Sequence, residues 1–215
     1  MIHKQPFLRK PLHTWDELKM KITVTKNGAR ELKRLRFDAI QSIREILKYV
    51  PPNDLIGLSF ISITDLPTRK LKKHEKIAAA YFKGKKGGGA FIEIYICRLF
   101  GHINNPENFR KLLPIQEYGL ASTIFHEIGH HVREIRTHGV KKSIGEKFAD
   151  RYAERILRDY IMDNAGKINH CFDFLETMFS KGNIDHKILE SMKEGWEKTY
   201  KKALSSEIKA KQNNL

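Results

Sequence analysis

The sequence predicts an α+β domain: a small twisted mixed β-sheet backed by a helix, then two further helices and a helical C-terminal part. Three observations carry that reading. Four short runs, Met20–Thr25, Leu55–Ile63, Ile77–Phe82 and Ala90–Ile96, alternate with period two or are continuously apolar, as strands do. Longer stretches with apolar residues three and four apart lie between the first two runs and after the last. The order strand–helix–strand at the start favours a right-handed crossover with the two strands parallel.

Taken in order, residues 1–18 form an arm containing Pro6 and Pro11, with a short turn at Thr14–Glu17. Met20–Thr25 is the first strand and stops at Asn27-Gly28, a turn pair. From Ala29 to Tyr49, Leu32, Leu35, Ala39, Ile43, Ile46 and Leu47 recur at helical spacing, and Val50-Pro51-Pro52 ends that backing helix. Leu55–Ile63 suits a central strand, and Asp65-Leu66-Pro67 turns the chain into a basic connection.

Ile77–Phe82 and Ala90–Ile96 read as a hairpin with a glycine-rich tip, one strand of which lies at the sheet edge. Gly87-Gly88-Gly89 is not a phosphate loop, because no Gly-Lys-Ser/Thr opens a helix after it. Residues 99–114 form a connector with one helical turn at Glu107–Leu112; His102 on it reads as a surface residue. A helix from Ile115 to Arg136 and another from Ser143 to Asp163 follow, the second ended by Asn164-Ala165-Gly166. Asn169–Phe179 gives a short helix with a core stripe, and Ser180–Asn183 a turn. Ile184–Lys211 is a long lysine-rich helix with Ile188, Met192, Trp196 and Tyr200 on one stripe, packed on the domain, capping its cleft or engaging a partner. Its last residues fray. The domain boundaries that result are 1–18 for the arm, 19–166 for the main domain and 167–215 for a helical extension.

The chemistry concentrates in His126-Glu127-Ile128-Gly129-His130, followed by Glu146-Lys-Phe-Ala-Asp150. On a helix, His126 and His130 stand about 40° apart and one turn from each other, so both imidazoles can reach one metal ion. Leu120, Ile124, Ile128, Val132 and Ile135 gather on the opposite side, which puts the core behind and the histidines on a cleft. Glu127 projects about 100° from His126, beside the metal, where a base for a metal-activated water stands. Catalytic zinc commonly takes three protein ligands. Glu146 supplies the third, and Asp150, one turn on, accepts the outer N–H of a ligand histidine. His138 is a weaker third ligand, in the turn Thr137-His138-Gly139. Arg133 and Arg136 stand where H-E-x-x-H-x-x-G-x-x-H would need Gly and His, so that longer pattern is absent.

At these residues, roughly 117–157, the chain resembles the gluzincin metallopeptidases. The resemblance is strongest to the small single-domain ones, the minigluzincins and the ImmA/IrrE-like regulatory proteases, which pair H-E-[IL]-G-H with E-x-x-A-[DN]-x-[FY]-A. It implies a zincin-like fold with an active-site helix and a glutamate helix, zinc held by His126, His130 and Glu146, and Glu127 as base and proton shuttle in peptide hydrolysis. Larger gluzincins add a His or Tyr that stabilises the oxyanion. No matching motif is present, and Tyr152, Tyr160 and His170 are the candidates.

Composition bounds the rest. At 215 residues the chain suits one domain with an extension and can bury a sizeable core. No apolar run reaches the length of a membrane span, and Met1–Pro11 has no secretory h-region, so a cytoplasmic protein that meets no membrane is expected. Cys97 and Cys171 sit in separate elements, which argues against a disulfide framework; Cys97 reads as a small buried hydrophobe in a strand. The net charge of +15 allows attraction to nucleic acid, but no zinc finger, RNP or helix-turn-helix signature accompanies it. The expected partner is a peptide or protein substrate paired along the edge strand. The two alternatives are a nucleic-acid-associated regulatory protease and a latent or non-catalytic zinc-binding regulatory protein.

Overall fold

The structure is a computed structural model that describes residues 20–66, 77–84, 88–136, 142–181 and 186–212. The arm 1–18, most of the basic connection after Leu66, part of the glycine-rich tip and the turn containing His138 lie outside the described residues. The fold is α+β, with a mixed four-stranded sheet and seven α-helices among the described residues.

The strands are β1 (Lys21–Val24), β2 (Leu58–Thr64), β3 (Ala79–Phe82) and β4 (Ala90–Tyr95). Their spatial order is β1-β2-β4-β3; β1–β2 and β2–β4 are parallel, and β3–β4 is the antiparallel hairpin. Alternation sorts the side chains. Ile61, Ile63, Ile92 and Ile94 are fully buried on the face that meets the helices. Phe60, Phe91 and Phe82 stack across three strands on the other face, with ring centroids 4.7 Å apart in both pairs. Such cross-strand aromatic pairs pin the register of the edge strand β3.

The backing helix is two helices, α1 (Lys26–Leu35) and α2 (Ala39–Leu47), where the spacing predicts one. Apolar periodicity runs through the break because both helices bury the same side. Arg36 there is left-handed at φ 53°, its N–H bonding back to the Leu32 and Lys33 carbonyls, and the Asp38 side chain then caps α2 by accepting from the Gln41 N–H at 3.0 Å. Arg36→Gly removes the left-handed penalty of a side chain, about 1 kcal/mol. Among the described residues its side chain bonds only to Glu107, in an exposed, long contact at 3.5 Å. A modestly raised thermal midpoint is expected, and an unchanged or lowered one on thermal denaturation would refute the strain argument.

Asn27-Gly28, read as a turn ending the first strand, instead lies in the first turn of α1. Thr25 caps it, its hydroxyl accepting from the Gly28 N–H at 3.1 Å. Gly28 is needed there for closeness: a Cβ would sit 2.7 Å from the Ile63 carbonyl oxygen of β2. Pro52–Leu55 makes a 3-10 turn, so β2 begins at Leu58 and not at Leu55.

Beyond the sheet, α3 (Ile96–Phe100) takes the residues after β4, which puts Cys97 on a helix and half-buried, not on a strand. The helix α4 (Pro106–Lys111) matches the expected turn, with Asn105 as its cap. Phe100 packs edge to face on Phe37 and Phe109, which are tilted on each other, where α3 and α4 meet the break after α1. The long helices are α5 (Leu113–Arg136), α6 (Lys142–Lys181) and α7 (His186–Gln212).

Asn164-Ala165-Gly166 does not end a helix. The segment α6 runs on through the expected 166/167 boundary and the short helix beyond it, about 60 Å in all. Asn164 stays helical by donating its side-chain amide to the Tyr160 carbonyl at 2.9 Å, while Ala165 and Ile168 are buried. On α7 the buried stripe is Leu189, Trp196 and Ala203; Met192, expected on the stripe, is 43% exposed. Trp196 meets Tyr118 of α5 edge to face and donates to the Asn169 side chain of α6 at 2.6 Å. None of the described helices is long and apolar enough to cross a membrane.

Candidate metal centre

The helix α5 buries Leu120, Ile124, Ile128 and Val132 completely, as the four-residue spacing predicts. Ile135, expected with them, is 43% exposed because the helix is leaving the core by its last turn. With the apolar stripe turned inward, His126 and His130 face a cleft. Their Nε2 atoms lie 3.1 Å apart.

From α6, the Glu146 Oε2 lies 3.5 Å from each of those nitrogens. The three residues form a group that could hold a metal ion. Asp150, one turn further along α6, accepts from His126 Nδ1 at 3.0 Å. Placing the proton on Nδ1 leaves the Nε2 lone pair directed at the triangle. Burial lowers the pKa of His130, as does the nearby His126 charge, with Glu146 opposing; the neutral imidazole that results is the form that coordinates.

The helices can approach this closely because Gly129 faces Ala149. A Cβ on Gly129 would stand 2.7 Å from the Ala149 Cα and 3.0 Å from its carbonyl oxygen. The small residues inside both motif halves are therefore the contact at which α5 and α6 cross.

Glu127 is 8% exposed. Burial raises its pKa to about 7; the His126 charge and the Tyr81 backbone N–H oppose that, and the Glu146 carboxylate adds to it. A divalent cation beside it would pull the value down again. Tyr81 lies on the edge strand β3. Tyr95 N–H donates to the Ala78 carbonyl, so by the alternation of an antiparallel ladder Ala79 and Tyr81 turn their N–H and C=O groups outward from the sheet. The cleft between this edge and α5 encloses about 640 Å³, with Ile77–Tyr81 on one wall and Ser122, Thr123, His126, His130 and Arg133 on the other. Among the described residues, none of α7 lines it.

The other candidates lie elsewhere. The Tyr152 hydroxyl is buried and donates to Asp54 at 2.9 Å. Tyr160 is buried against Tyr49 and Phe125. His170 is exposed on α6, roughly 36 Å along the axis from Glu146. None of the three lines the cleft, so none stands where it could stabilise an oxyanion there. His102 is exposed in the turn that follows α3, a surface residue as expected, and His138 is outside the described residues.

Two residues at the site carry no motif signal. His131 is 1% exposed, with Nε2 2.9 Å from the Ile56 carbonyl and Nδ1 3.4 Å from the Tyr81 hydroxyl. The helical wheel, which sets it about 140° from His126 toward the core, is the only clue in the sequence. Asp54, 2% exposed, has none. No family model, curated protein or solved structure matches the chain.

Proposed function

We propose that the chain is a zinc-dependent metallopeptidase of zincin-like fold, with His126, His130 and Glu146 as metal ligands and Glu127 as general base. The observation that carries this reading is the donor triangle, with sides of 3.1, 3.5 and 3.5 Å, beside a buried carboxylate. Tetrahedral zinc with bonds of about 2.0–2.1 Å needs neighbouring donors about 3.3–3.4 Å apart, which shifts of about 0.1–0.3 Å in these separations would satisfy. Two imidazoles and one carboxylate are also a zinc donor set, whereas calcium and magnesium prefer all-oxygen shells. Glu127 argues for a catalytic centre, since a purely structural site needs no base.

Zinc, when bound, lowers the pKa of water and polarises a carbonyl. The protein does the rest. Asp150 holds His126 in the coordinating tautomer. A peptide lying along β3 pairs with the outward N–H and C=O of Ala79, which brings a backbone carbonyl over the cleft without selecting one side chain. As the water oxygen adds to that carbonyl carbon, Glu127 takes the water proton. When the C–N bond breaks, Glu127 passes the proton to the departing amine nitrogen.

Metal analysis of the purified full chain tests the reading. About one zinc per chain is expected, together with hydrolysis of a mixed peptide library that a chelator stops and added zinc restores. Glu146→Ala or His130→Ala should lower the zinc content severalfold. A wild-type protein that takes up no zinc would sink the proposal.

A further inference from the structure

We propose that Asp54 is a positioning residue for the metal site: it fixes the crossing of α5 and α6 that sets Glu146 against the two imidazoles. The inference rests on the metal reading above, and it concerns a residue far from the motif in sequence, in the turn between α2 and β2.

A carboxylate 2% exposed is costly to bury unless its charge is met by good partners. Asp54 has partners from both ligand-bearing helices. Arg136, the last residue of α5, donates to one oxygen. The Tyr152 hydroxyl of α6 donates to the other at 2.9 Å, and the Arg155 guanidinium, also of α6, stands 3.7 Å from it.

The placement along the helices gives the clamp its effect. Arg136 follows His130 by six residues, and Tyr152 follows Glu146 by six. Six residues advance a helix about 9 Å and turn it about 240°, so clamp and ligands occupy different faces of the same two rods. The rods touch where Gly129 meets Ala149 and, further along, where Phe125 packs edge to face on Tyr160. Past His130, Asp54 joins the last residue of α5 to Tyr152 and Arg155 of α6, so that along α5 the two histidines lie between a packed contact and a charged one. A pivot of about 5° at a lever of some 8 Å moves a carboxylate by about 0.7 Å, several times the roughly 0.2 Å that metal–ligand bonds tolerate.

The same turn also registers the edge strand. Two residues on, the Ile56 carbonyl accepts from His131 Nε2, and the His131 ring approaches the Tyr81 hydroxyl of β3. The strand that flanks Glu127 and the helices that bear the ligands are thus referred to one short segment, 54–56.

The test is zinc affinity of the full chain, measured by chelator competition at a temperature where circular dichroism reports the variants folded, with cobalt(II) absorption as a signature of coordination geometry. Asp54→Asn is expected to weaken zinc binding by about 10- to 100-fold and to alter the cobalt spectrum. Tyr152→Phe should weaken it by about three- to tenfold, and Arg136→Lys, which keeps the cation, should fall nearer the wild type than Arg136→Ala. Wild-type affinity and an unchanged cobalt spectrum in Asp54→Asn and Tyr152→Phe, with only a lower melting temperature, would make Asp54 merely stabilising and overturn the proposal. Should Asp54→Asn not fold, Tyr152→Phe and the Arg136 pair decide on the same criteria. A wild-type chain that binds no zinc would instead overturn the metal reading itself, and this inference with it.

Discussion

Glu127→Gln is expected to retain wild-type zinc content while kcat for peptide hydrolysis falls by at least about 10²-fold. The amide keeps the shape of the side chain in a site where only 8% of the residue is exposed, so the packing of α5 against the sheet should survive. What it loses is proton affinity. An amide cannot take the water proton as the carbonyl is attacked, nor return one to the departing amine. Because Glu127 is not among the donors that form the triangle, its replacement should leave metal uptake alone. Parallel metal analysis and steady-state kinetics separate the two effects. Normal turnover by this variant would remove Glu127 as the base; a loss of zinc equal to that of Glu146→Ala would mean that it helps to hold the metal.

That experiment addresses a part of the molecule whose geometry was legible in the sequence. Four-residue spacing on an amphipathic helix is enough to aim His126 and His130 at one point, and the same periodicity sets Glu146 and Asp150 on one face of α6. Strand pairing was legible in part for the same kind of reason, since alternation and a long connection specify parallel pairing of β1 and β2 and a hairpin of β3 and β4, but not that β4 joins β2 and leaves β3 at the edge. Where expectation and structure part, local signals were overruled by contacts made elsewhere. Asn164-Ala165-Gly166 has the composition of a stop, yet buried Ala165 and Ile168 carry α6 through it. Apolar spacing is continuous across Arg36, although the chain turns left-handed there so that α1 lies on β2 while α2 packs against α5. Asp54 was invisible because a buried carboxylate is defined by partners 82 and 98 positions away, and no local pattern encodes those.

Gly129→Ala is the second large effect expected, and it tests whether helix proximity, as distinct from ligand chemistry, makes the centre. The added methyl would meet the Ala149 Cα at 2.7 Å, its carbonyl oxygen at 3.0 Å and its Cβ at 3.2 Å. Two of those three atoms are backbone, so no rotamer change relieves the contact; α6 must move away from α5. Overpacking of this kind costs about 1–3 kcal/mol of stability. The consequence for the metal is larger in kind, because Glu146 and Asp150 flank Ala149 on the helix that is displaced, whereas His126 and His130 stay with α5. Zinc affinity should fall at least tenfold, with the two histidines intact, and hydrolysis should fall with occupancy. Ala149→Gly in the same chain reopens space on the opposite side of the contact and should recover part of the affinity, although it removes only one of the three atoms in the clash. Chelator competition on the single and double variants reads this directly. If Gly129→Ala bound zinc as tightly as the wild type, the close crossing of α5 and α6 would not be what brings the third donor within reach.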